Sequence, residues 1–279
     1  MQNKAEFLQN MFKYFLKLSF LKKFFITYVA CWSGFLSMVL FSKILYFLFG
    51  RNTLNVAGNV ASQKFEVISG AVSHQVGYNY LSISLSYFIS NSIACVVILL
   101  VFPLVAYLYK KDMANNMKDN IKNNIENNRS SLKDYLNTMI LFYIITVINP
   151  LTGILGYNIN IKDIAVLLPH GIFEFAGFAL SIVMGITIAN KILPLNEIYI
   201  GENKKDRKLS INIMSIIKGI NDKSILKDML KIIAIFILIG IAASLEPLDW
   251  LIYEYAKYNN LNIIQVMVEV YRELLFYIF

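Results

Sequence analysis

Residues suited to redox or metal chemistry are scarce, with two cysteines and two histidines in 279 positions. Cys31 and Cys95 both fall inside apolar stretches, where a small hydrophobic packing role fits better than a disulfide framework. Charge is scarce too. Only 16% of residues are Asp, Glu, Lys or Arg, against 57% hydrophobic and 14% aromatic. That is more apolar surface than a soluble domain of this size can hide. No phosphate loop, nucleophile elbow or Cys-x-x-Cys pair occurs, so no enzyme activity and no cofactor is implied. Base-stacking aromatics are missing from the basic loops, so the net charge of +8 does not indicate a nucleic-acid partner.

Long apolar runs are what the chain does have. Crossing a hydrocarbon layer of roughly 30 Å takes about 20 apolar residues. Five stretches meet or approach that length: 24–49, interrupted by Lys43; 80–109; 135–157; 164–190, with Glu174; and 232–248, with Glu246. The expected fold class is all-α, a polytopic integral membrane helical bundle of about five transmembrane helices. It occupies one membrane domain over 1–279. The first stretch is longer than a signal-peptide core and lacks a small-residue cleavage site, so it reads as a retained helix. The last stretch is the shortest.

Basic residues assign an orientation, because cytoplasmic segments keep Lys and Arg. Lys4, Lys13, Lys17, Lys22 and Lys23 precede the first stretch, six basic residues lie in 110–134, and nine more lie in 191–231. The alternate segments hold Arg51, Lys64, Lys162, Lys257 and Arg272. The amino terminus and the loops 110–134 and 191–231 are therefore expected in the cytoplasm, against anionic lipid, with the carboxyl terminus outside. Ile211, Ile213, Ile216, Ile217 and Ile220 give the longer loop an apolar helical face. In 251–279, Ile263, Met267, Val270, Tyr271, Leu274, Leu275 and Ile278 recur at helical spacing opposite Gln265, Glu269, Arg272 and Glu273. That pattern predicts an outer interfacial helix or one packed on a partner.

The fourth stretch carries the run Leu167-Leu168-Pro169-His170-Gly171-Ile172-Phe173-Glu174. An ionised carboxylate inside the bilayer costs several kcal/mol or more unless it is paired or hydrated. His170 and Glu174, four apart, share a helical face. Below them Gly177, Ser181 and Gly185 continue the stripe with small side chains, a seam that admits a neighbouring helix of this chain or of a second copy. Pro169 with Gly171, and Pro150 after Asn149, are expected to break their helices, and broken helices often line ion or substrate sites.

This run resembles the signature of the stage II sporulation protein M family. Weaker echoes lie in Asn91, in Asn149-Pro150-Leu151-Thr152-Gly153 and in Ala242-Ala243-Ser244-Leu245-Glu246-Pro247, so the resemblance covers roughly 80–248. Pro150 stands where the family usually has glycine, and Phe175-Ala176 replaces the usual Leu-Pro. The resemblance implies a five-helix membrane protein that works beside cell-wall hydrolases in spore formers. Its functional expectation is a non-enzymatic scaffold for envelope partners.

Depth gives an alternative. At about 1.5 Å per residue, Lys43, Asn91, Asn149, His170, Glu174 and Glu246 all fall in the outer half of the bilayer. They could line one outward-facing site for a cation or proton in a channel or transporter. A snorkelling lysine is the plain reading of Lys43, and a simple His170–Glu174 hydrogen bond that of the motif. A metallohydrolase is the weakest reading, because catalytic zinc wants three protein ligands and the other histidine, His74, lies in an external loop.

Overall fold

In the computed structural model the described residues are 2–50, 63, 66–119, 124–148, 161–194 and 222–278. Among them there is no strand. The main helices are α1 (Gln2–Lys17), α2 (Phe20–Phe49), α3 (Tyr80–Asp119), α4 (Asn124–Ile148), α5 (Leu168–Ile192), α6 (Asp222–Tyr258) and α7 (Ile263–Ile278). A 3-10 segment, Ile161–Leu167, leads into α5.

Four segments are long and apolar enough to cross a membrane: Phe20–Phe49, Tyr80–Met113, Ile164–Ile192 and Lys227–Tyr258. The shortest of the expected spans, 232–248, belongs to a longer helix that runs on to Tyr258. The first part of 251–279, expected as one interfacial helix, is thus the end of α6. The expected span 135–157 is helical only as far as Ile148 among the described residues. Asn149 and Pro150 lie outside the described residues, as do Ile211, Ile213, Ile216, Ile217 and Ile220. Much of the region expected as the loop 110–134 is helix, at the end of α3 and the start of α4.

Local chemistry explains the ends. Asn79 and Ser82 cap α3 reciprocally: Ser82 N donates to Asn79 Oδ1 at 2.9 Å, and Asn79 N to Ser82 Oγ at 3.0 Å, the exchange that satisfies otherwise orphaned first-turn donors. Helix α6 stops at Asn260, whose φ of +53° is left-handed. Leu261 N reaches back to Ala256 O at 2.8 Å and Asn260 N to Lys257 O at 3.3 Å, the paired bonds of a Schellman ending. Asn262 Oδ1 then accepts from Ile264 N at 3.0 Å and starts α7.

Contacts divide the chain into two compact units, 1–29 with 96–147 and 179–233, and 30–95 with 148–178 and 234–279. In the first unit α1 rests on α4, with Phe12 and Phe15 against the Tyr143 ring and Gln9 bonded to Asn137 at 2.8 Å. In the second, α7 packs on the end of α6 through Val266 against Ile252 and Ala256, and also meets the 3-10 segment. The apolar window of Ile164–Ile192 is 67% buried, against 17–22% for the other three candidate spans. Helix α5 is therefore enclosed by protein, and the other three present wide apolar faces of the kind that lipid solvates.

Candidate functional site

The fourth-stretch motif sits where the 3-10 segment gives way to α5. Pro169 occupies the first turn of α5, where its missing N–H would have had no helical partner. It starts a helix and does not break one, contrary to expectation. Gly171 is likewise helical, and a Cβ there would lie 3.0 Å from the Trp32 ring. Its role is close approach. Trp32 meets Phe175 edge-on with centroids 4.6 Å apart.

His170 is 4% exposed, and Asp249 is its hydrogen-bonded partner. His170 Nδ1 lies 2.6 Å from Asp249 Oδ2, which also faces the His170 backbone N–H at 3.3 Å. For an ionised Asp249, Nδ1 must carry the proton. The second carboxylate oxygen accepts the Tyr271 hydroxyl at 2.5 Å. Asp249 is 1% exposed, so three donors replace the water it has lost. Burial, with the hydrogen bond to Asp249 and its negative charge, raises the Tyr271 phenol above its usual range.

Glu174, one turn beyond His170, is half-buried. It lies within electrostatic reach of Glu246 on α6, which is also half-buried and receives the Trp250 indole N–H. Tyr87 of α3 faces both glutamates electrostatically. Tyr80, nearly two turns earlier on α3, gives its hydroxyl to the Ser244 carbonyl. That carbonyl lies in the turn where Pro247 leaves Ala243 without its usual N–H donor. Asn91 is half-buried four residues after Tyr87, on the same face of α3. Lys43 is half-buried on α2 in the same unit.

The second unit contains His170, Glu174 and Glu246 together with Asp249, Tyr271, Tyr87 and Trp250. Asp249 lies one residue beyond the expected span 232–248. Its signal was the spacing Glu246-Pro247-Leu248-Asp249, two carboxylates three apart on one helical face. Among the described residues no three His, Cys, Asp or Glu side chains are grouped as a metal site needs.

The seam below the motif packs inside the chain. A Cβ at Gly177 would lie 2.7 Å from Ile239 Cδ1 of α6, and one at Gly185 would lie 2.9 Å from the Leu99 carbonyl oxygen of α3. Ser181 between them is fully buried. Neighbouring helices of the same chain already fill it.

No family model matches the chain, and no solved structure matches it. The chain is 35% identical over 276 residues to the uncharacterized protein MJ0096 of Methanocaldococcus jannaschii, covering 96% of this chain and 94% of that protein. A likeness of that extent, running almost end to end, places the chain in one family with MJ0096.

Proposed function

We propose that the chain is a five-span membrane protein, with its amino terminus in the cytoplasm and its carboxyl terminus outside, that binds a proton or cation at Glu174 and Glu246 in the course of transport. The observation that carries this is that Glu174 of α5 and Glu246 of α6 lie within electrostatic reach of each other, in the same unit as a buried His170–Asp249–Tyr271 network. Carboxylates within electrostatic reach of each other among apolar helices favour uptake of a proton or cation. Ionisable groups inside a membrane mark transport paths more often than they stabilise a fold. The fully bonded Asp249 acts as a fixed neighbour, and the two half-buried glutamates are the exchangeable pair.

The protein has two tryptophans, and both report on this region, Trp250 through its bond to Glu246 and Trp32 through Gly171. Titrating purified protein with acid, Na+ or K+ should change tryptophan emission in a saturable way that Glu174→Gln removes. An unsaturable response, or one that Glu174→Gln leaves intact, would sink the reading.

The scaffold reading suggested by the sporulation protein M resemblance draws support from α7. Its Arg272 and Glu273 side chains are 72% and 59% exposed, a charged face suited to an envelope partner.

A further inference from the structure

Helix α1 divides into three sectors at about 100° per residue. Phe12, Phe15 and Leu16 are buried within one sector of about 100°. Lys13, Lys17 and Glu6 fall together in a polar sector about 40° wide. Between the two lies a third sector, about 60° wide, with Phe7, Met11 and Tyr14 exposed by 63%, 55% and 68%. A helix docked on protein alone needs only one apolar face, and a helix in water would not expose three large apolar side chains in a row.

Two further observations say what covers this flank. Only Leu18 and Ser19 separate α1 from α2, and α2 opens with exposed Leu21, Phe25, Ile26 and Val29. The uncovered flank of α1 thus leads directly into the lipid-facing surface of a membrane-crossing helix. Residues 2–23 also hold five lysines against one glutamate; Lys23 is buried, and each exposed lysine near the surface favours anionic headgroups by about 1 kcal/mol.

We propose that α1 is an interfacial helix whose Phe7–Met11–Tyr14 flank inserts at the edge of the acyl layer, while Lys13 and Lys17 engage anionic lipid headgroups. Its attachment to α4 through Tyr143 and Asn137 makes it a lever by which surface charge of the membrane acts on the first unit. The role is independent of the glutamate pair.

The test uses full-length protein in vesicles of phosphatidylcholine, with and without phosphatidylglycerol. An environment-sensitive fluorophore is placed at Met11→Cys on the apolar flank or at Asn10→Cys on the polar side, the native cysteines being buried. Spin-labelled lipid should quench the label at position 11 several-fold more than at position 10. Phosphatidylglycerol should increase that difference, and Lys13→Glu with Lys17→Glu should remove the increase. Equal quenching at both positions, or no dependence on phosphatidylglycerol, would overturn the proposal. So would disulfide crosslinking of Met11→Cys between two copies, which would assign the flank to a homo-oligomer.

Discussion

His170 is buried, and Asp249 gives it a hydrogen-bond partner there. Removing a hydrogen-bond donor to a buried carboxyl group leaves it unsatisfied, at about 1–3 kcal/mol. His170→Ala should therefore lower thermal stability in detergent by that order, and His170→Leu with Asp249→Leu should cost clearly less than the two single changes added together. Additive losses would mean that the pair is not coupled. Tyr271 supplies a prediction in pH. Its phenol is raised in the folded chain, so the folded state keeps a proton that the unfolded state releases near pH 10. The stabilisation is whole below that pH and is lost as pH rises toward the folded value. Tyr271→Phe should flatten the alkaline fall in melting temperature relative to wild type, and an unchanged slope would count against the bond.

Among the elements, α5 organises the rest, and its glycines differ in what they tolerate. At Gly185 a methyl group meets a backbone carbonyl of α3, which cannot move without the helix. At Gly177 it meets the buried Ile239 side chain, whose end can shift more readily than a backbone carbonyl. Gly185→Ala should destabilise by about 1–3 kcal/mol through overpacking, and Gly177→Ala by markedly less, as read from thermal melts. The reverse order would show that the α5–α3 approach is looser than the geometry indicates.

The sequence makes four apolar helices legible, because long uncharged runs stand out. It does not reveal where a helix begins within an apolar run, so Pro169 reads as an interruption although it opens α5. Hydropathy also falls where charges accumulate, as at Glu246 and Asp249. Asp249 consequently drops out of 232–248, although α6 continues through it, and the bond from Tyr271 joins residues 22 apart in sequence, a pairing no local pattern encodes. Helix α1 escapes notice because a short amphipathic segment is overshadowed by the long apolar run that follows.

For the whole molecule, orientation and function are linked. Five spans put the termini on opposite sides, whereas the four candidate spans alone would put them on one side. In sealed vesicles of known sidedness, an amino-terminal tag should be cleaved only from the cytoplasmic face and a carboxyl-terminal tag only from the outer face. Cleavage of both from one face would remove 135–157 as a span. The most direct test of the central claim is ion flux through purified protein in liposomes, wild type beside Glu174→Gln. The account predicts a proton or cation flux in the wild type that Glu174→Gln abolishes. Absence of flux for H+, Na+ and K+ in folded wild-type protein, or an equal flux in Glu174→Gln, would contradict it.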